Sequence, residues 1–308
     1  MRSRKFRESL VELVVFASAC LLLTDEGAAR RPPPDLPDAI IDRDLVYRTV
    51  NGQPLRLDLY RPQNGTGPFP VVMWLYGGAW IHGRKEHTPA VALVKDGYAI
   101  ASIDIRSTNT APFPAQIEDC KAAVRWLRAN AAKYHLDHDH IGVWGFSSGG
   151  HLGALLGTTC GMPEFEGKGD NLNESSCVQA VYDVSGASDL VRMYNEVSDE
   201  ATDMGTKAKD AIEKLIGGPM SQNQQKAVVA SPIHYISKNS VPFLIVHGEE
   251  DKTIPVEQSK SLAAALKAAD VPVELEIATG RGHGVGGGRY IATIKAFFDR
   301  YLKPGQAR

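Results

Sequence analysis

Six short apolar runs, Val71 to Leu75, Ala99 to Ile105, Ile141 to Phe146, Val178 to Val184, Phe243 to Val246 and Val273 to Ile277, are separated by stretches with helical periodicity. Strands that are apolar along their length need cover on both faces, and alternation with helices supplies it. The pattern therefore predicts an α/β fold, a mostly parallel sheet with helices on both sides. Ahead of it, Ile40 to Val50 and Leu55 to Tyr60 flank Asn51-Gly52, a dipeptide suited to a tight hairpin turn, which brings the expected sheet to eight strands. One stretch breaks the rhythm. Residues 188–233 carry mixed helical patterns and Gly217-Gly218-Pro219 without a clear strand. They read as a helical cap insert above the strand C-termini, where open α/β sheets bind ligands. Met193, Tyr194 and Met204 in that insert are either pocket lining or core.

The chain has 308 residues, 43% of them hydrophobic, and a formal net charge of -2, enough for one large domain and without the basic stripe that a nucleic-acid partner would require. At the N-terminus, Arg2, Arg4, Lys5 and Arg7 precede an apolar run from Leu13 to Leu23 and then Gly27-Ala28-Ala29. This is the layout of a signal peptide, and the run is too short for a comfortable membrane span. Residues 1–29 are expected to be a cleaved export signal, 30–40 a proline-rich linker and 41–304 the folded domain, in a periplasmic or secreted protein. Lipidation at Cys20 is the alternative, opposed by the poor fit of Ala17-Ser18-Ala19 and by the leucines that follow. Cys120 falls on the helical pattern Ile117, Cys120, Val124, Leu127 as a small buried hydrophobe. Cys160 and Cys177 bracket a polar, glycine-rich loop, and in an exported chain they are expected to close it as a disulfide worth about 3 kcal/mol.

Between the strand ending at Phe146 and the helical pattern from His151 lies Gly145-Phe146-Ser147-Ser148-Gly149-Gly150, a G-x-S-x-G run. A serine on a sharp strand-to-helix turn has its Oγ pushed out above the sheet, where it can serve as a nucleophile. Such a serine needs a base, an orienting acid and donors for an oxyanion. Past the end of the Phe243 strand comes Glu249-Glu250-Asp251, and past the end of the Val273 strand comes His283 in a glycine-rich loop. Upstream, the Val71 strand runs into Tyr76-Gly77-Gly78-Ala79-Trp80, where consecutive glycines leave amides uncovered; the Ser148 amide follows the nucleophile directly. Other clusters read as surface: His135, Asp137, His138, Asp139 and His140 as a solvated turn at the far end of the sheet, and Asp170, Asn171, Asn173 and Glu174 as a loop without calcium-site spacing. Gly286-Gly287-Gly288 lacks the Lys-Ser/Thr of a phosphate loop. No metal or cofactor is expected.

From Leu45 to Leu302 the chain resembles the α/β-hydrolase superfamily, and within it the hormone-sensitive-lipase-like carboxylesterases and their bifunctional acetyl/feruloyl esterase relatives. The resemblance runs through Tyr76 to Trp80, Pro112-Phe113-Pro114-Ala115-Gln116-Ile117-Glu118-Asp119, Gly145 to Leu152, the Asp251 segment and Gly282-His283-Gly284. It implies Ser147 as nucleophile, His283 as base and Asp251, rather than Glu249 or Glu250, as orienting acid. The amides of Gly78, Ala79 and Ser148 are implied as oxyanion donors. The chain departs from the family at Tyr76-Gly77-Gly78-Ala79, where His-Gly-Gly-Gly is usual, and at Ser148, where alanine is common. Neither change removes a backbone N–H, and Tyr76 can still anchor its loop by hydrogen bonding. Trp80, beside the oxyanion loop, is a substrate-lining candidate, with core packing as the competing reading. The function so implied is a secreted serine carboxylesterase, with acetyl or feruloyl esters of plant polysaccharide as one substrate class. An amide hydrolase of exopeptidase or arylformamidase type would share the triad, and a non-catalytic binding module is the third class. Acyl length and oligomeric state are not written in the pattern.

Overall fold

The structure, a computed structural model, describes residues 36, 38–197, 203–286, 288–303 and 305, without the side chains of 203–206. The expected signal segment, Cys20 and most of the linker lie outside the described residues. Of the linker, 36 and 38–40 are described, and the last two belong to the first strand: β1 spans Ala39–Val50 and pairs from Ala39 with Pro62, because Gln53–Pro62, the antiparallel β2, is long enough to hold it. Asn51 and Gly52 join them with φ of 49° and 77°. Both angles are positive, as a two-residue type I′ hairpin turn requires.

The parallel strands follow as β3 (Phe69–Leu75), β4 (Ala99–Ile103), β5 (Leu136–Phe146), β6 (Ala180–Val184), β7 (Phe243–Gly248) and β8 (Val273–Ala278). Between β4 and β5 stand α1 (Ala115–Ala129) and α2 (Ala131–Tyr134), and after β5 comes α3 (Ser148–Thr158). The β6–β7 connection holds α4 (Leu190–Glu196), α5 (Asp203–Ile216) and α6 (Met220–Val229). Then come α7 (Glu257–Ala268) before β8 and α8 (Ile291–Leu302) after it. The eight strands lie in the order β1-β2-β4-β3-β5-β6-β7-β8, parallel from β4 to β8.

Strand pleating divides the core in two. Val71, Met73, Ile141, Val143, Val181, Phe243 and Ile245 point to the face covered by α1, α3 and α7. Their neighbours Val72, Trp74, Trp144, Tyr182, Leu244 and Val246 point to the face covered by α8. Successive residues alternate between two buried faces, which is why these strands read as unbroken apolar runs.

The β6–β7 connection packs into the first of these layers through Leu190, Met193, Ile212 and Leu215. Met193 is thus core, and the Tyr194 hydroxyl donates to Glu213 Oε1 at 2.8 Å. Cys160 and Cys177 are joined in a disulfide with Cα atoms 4.8 Å apart, and Cys120 is buried on α1. The cluster at 135–140 is not a plain turn. Leu136 already pairs with Phe69, and the register resumes at Ile141 opposite Val71, so Asp137 to His140 bulge out of β5. Their imidazoles are taken by carboxylates, His138 by Asp139 and Glu174 and His140 by Asp137, and no metal-holding group of three such side chains occurs among the described residues.

Candidate active site

Ser147 sits between β5 and α3 with φ 56° and ψ -120°, a conformation that costs a non-glycine residue on the order of 1–3 kcal/mol and needs outside support. Support comes from its amide, which donates to Val184 O at the end of β6 (2.8 Å), and from its carbonyl, which accepts from His151 N (3.0 Å). A side chain at Gly145 would fall on the Gly149 carbonyl, so the turn cannot be this sharp with any other residue there. The outcome is an Oγ at the C-terminal edge of the sheet and, one residue later, the amide N-terminus of α3.

The other two predicted residues reach the same point from neighbouring strands. His283 Nε2 lies 2.8 Å from Ser147 Oγ, and His283 Nδ1 lies 2.7 Å from Asp251 Oδ2. The carboxylate only accepts, so Nδ1 carries the proton and Nε2 is free to accept from the serine hydroxyl. Asp251 Oδ1 accepts from the amides of Thr253 (2.8 Å) and Ile254 (3.0 Å), which fixes the carboxylate's rotation. Glu249 instead faces outward and accepts from Gly280 N.

A second imidazole, absent from the sequence-based candidates, completes this chain. His247 is fully buried in β7, with Nε2 3.1 Å from Asp251 Oδ2 and 2.9 Å from Ile254 O, and Nδ1 2.6 Å from Ser259 Oγ. Burial alone would raise the Asp251 pKa. Hydrogen bonds from His247 and His283 outweigh it and hold the carboxyl well below the usual carboxylate range. Asp251 is therefore an anion throughout the neutral range, as an orienting acid must be.

Opposite His283 stands the loop after β3. An added Cβ on Gly77 would lie 2.8 Å from the Phe146 ring and 3.0 Å from Ser147 Cβ, so only glycine lets this backbone come so close to the elbow. The chain then turns tightly, with Ile81 N and His82 N both donating to Gly78 O (3.0 and 3.2 Å), and with φ of 55° at Ala79 and 60° at Trp80. Two successive non-glycine residues in this region cost about 1–2 kcal/mol each. Among the described residues the amides of Gly78, Ala79 and Ser148 donate to no other backbone group. Tyr76 steadies the loop through its hydroxyl, which accepts from Ile105 N (3.0 Å). Trp80 is buried with its indole N–H on His151, and it borders a cavity of about 100 Å³ together with Ser148, Leu152, Ile81, Ile105 and Gln116.

Asp183, on β6 beneath the elbow, is fully buried. Its Oδ1 accepts from Gly186 N, and its Oδ2 has no hydrogen-bond partner among the described residues. Burial pushes its pKa up to about 6, partly opposed by His247. An acid whose folded pKa is raised costs nothing where both states are protonated. The penalty grows as the unfolded chain ionises above pH 4 and is complete above about pH 6, where it reaches about 3 kcal/mol. Asp183→Asn, which mimics the protonated acid, is expected to raise the melting temperature far more at pH 8 than at pH 4; equal shifts at both values would contradict the assignment.

A family model described as BD-FAE matches residues 57–266. Esterase LipC of Mycobacterium tuberculosis is 31% identical over 296 residues, which cover 91% of this chain and 71% of that protein. The chain spans about half the length of other curated esterases that it matches, among them the probable carboxylic ester hydrolase LipM of the same organism. Among solved structures, a truncated carbohydrate esterase from gut microbiota superposes with a TM-score of 0.78 at 31% identity, over 87% of this chain and 98% of that one. The butyrate-bound thermophilic esterase of Thermogutta terrifontis gives 0.66 at 26% identity, over 87% and 93%.

Proposed function

Because the chain belongs to the BD-FAE family and is a carboxylic ester hydrolase of α/β-hydrolase fold, we propose that Ser147, His283 and Asp251 are its catalytic triad and that short acyl esters, acetylated carbohydrate first among them, are its substrates. The observation that carries this is the unbroken chain from Ser147 Oγ through His283 to Asp251, at 2.8 and 2.7 Å. His283 Nε2 takes the hydroxyl proton as Oγ attacks the ester carbonyl. The oxyanion is held by the amides of Gly78, Ala79 and Ser148, each donor worth roughly 3–4 kcal/mol in the transition state. The imidazolium then gives its proton to the departing alcohol. Water repeats the cycle on the acyl-serine and releases the acid, so that enzyme and protons are restored.

The cavity beside Ser148, taken as the acyl subsite, favours acetyl over feruloyl. At about 100 Å³ it is well below the roughly 300 Å³ at which pockets begin to take drug-sized ligands. Export belongs to the same proposal, supported by the signal-like N-terminus and by the Cys160–Cys177 disulfide, a bond that persists in oxidising compartments. The segment around α4 to α6 acts as the cap of the site, its end tied to the elbow helix where Ala230 O accepts from His151. A panel of p-nitrophenyl esters and acetylated xylan tests the substrate class. The acetate, propionate and butyrate esters are expected to exceed the octanoate in kcat/KM by roughly tenfold or more, with acetate released from the polymer. A maximum at octanoate, or preference for a feruloyl ester or an anilide, would contradict it.

A further inference from the structure

We propose that His151 is a positioning residue for the oxyanion hole: its neutral imidazole receives the Trp80 indole N–H at Nδ1, anchors to the Ala230 carbonyl through Nε2, and so holds the strained loop that presents the Gly78 and Ala79 amides. The proposal rests on the triad and oxyanion assignment made above.

Four observations converge on it. First, Ala79 and Trp80 hold positive φ in succession, a geometry that relaxes unless something beyond the loop restrains it. Second, Trp80 is held from two sides: its carbonyl accepts from Thr108 N (2.9 Å), and its indole Nε1 lies 3.1 Å from His151 Nδ1, with the rings edge to face at 5.1 Å. Third, His151 lies one helical turn after Ser147 on α3 with no exposed surface, so the ring that steadies the loop stands on the same helix that supplies the Ser148 amide. Fourth, His151 Nε2 is 2.7 Å from Ala230 O at the end of α6. That turn is itself stitched, since Ser231 Oγ donates to Ala227 O and accepts from Leu190 N.

The partners leave His151 a single protonation state. An indole N–H can only donate and a carbonyl can only accept, so Nδ1 must be bare and Nε2 must carry the hydrogen. An imidazolium would set one N–H against another. Burial works in the same direction, lowering the His151 pKa to about 4 against the opposing pull of the Ala230 carbonyl. The imidazole therefore works as a fixed bracket between the loop and α6, and it takes no proton during the reaction.

Trp80→Phe and His151→Phe remove the same hydrogen bond from its two ends, and the first keeps an aromatic ring in the loop if the second fails to fold. Each is expected to lower kcat for p-nitrophenyl acetate by about 10- to 100-fold with KM changed less than about threefold. Affinity for a trifluoromethyl ketone, whose serine adduct carries the oxyanion, should fall in parallel with kcat. The double variant should lose no more than the worse single one. A folded variant of either kind with kcat near that of the parent, or losses that multiply in the double variant, would overturn the bracket. Ser147→Ala, measured alongside, separates the two levels: if it is inactive while the Phe variants keep full kcat, only the bracket falls, and if it remains active, the triad assignment falls and takes the bracket with it.

Discussion

Replacing Ser147 with alanine will leave a folded protein that hydrolyses p-nitrophenyl acetate roughly 10^5- to 10^6-fold more slowly, the scale on which serine hydrolases respond to loss of the nucleophile. The fold should persist because the backbone, rather than the hydroxyl, makes the elbow. Ser147 N and O bond to Val184 and His151 whatever the side chain, and the close approach of Gly145 to the Gly149 carbonyl is untouched. What disappears is the hydroxyl hydrogen-bonded to His283 Nε2. Circular dichroism and the melting temperature should match the parent, and the remaining rate should be that of the oxyanion donors and binding acting on water alone. Ser148 cannot substitute, since it begins α3 one residue beyond the elbow, and the hydroxyl placed against His283 Nε2 is that of Ser147.

Asp251→Asn should cost about 10^4-fold in kcat, although the change is isosteric. Oδ1 is already committed to the amides of Thr253 and Ile254, so the carbonyl oxygen of the asparagine will stay there. The new NH2 then occupies the Oδ2 position, where it faces the N–H groups of both His283 and His247. To relieve the clash His283 must move its proton to Nε2, where it points at Ser147 Oγ and can no longer accept. The loss should therefore appear in kcat with little change in KM, because no substrate contact is altered. The native carboxylate, held well below the usual range by its two histidines, stays ionised through the pH window in which the enzyme works. Full activity in the asparagine variant would show that His283 is oriented by something else.

Much of this architecture was legible in the residues themselves, for physical reasons. Doubly covered strands must be apolar throughout, and Val71 to Leu75 or Phe243 to Val246 could hardly be anything else. The Asn51-Gly52 turn and the glycines of the elbow were legible because few other residues tolerate those backbones. The bulge at Asp137 to His140 was not, since nothing local distinguishes a polar turn from an excursion inside a paired strand. The same limit hid the groups that support the site. His247, His151 and Asp183 are ordinary residues within apolar strands or helices, and for His151 the partners lie far away in sequence: Trp80 is 71 positions away and Ala230 is 79. The four-residue spacings from Ser147 to His151 and from His247 to Asp251 were the only hints. Asp251 itself was one of three consecutive acids, and the fold separates them by direction, turning Asp251 inward to His283 while Glu249 accepts from Gly280 N at the surface.

The most direct test of the central claim is covalent labelling with a fluorophosphonate, read by peptide mass spectrometry alongside residual activity. One adduct per chain is predicted, on Ser147, with hydrolysis lost in proportion to labelling. The adduct should be absent from Ser147→Ala and should form far more slowly in Asp251→Asn. Labelling at Ser148 or elsewhere, or hydrolysis that persists after Ser147 is fully modified, would contradict the account.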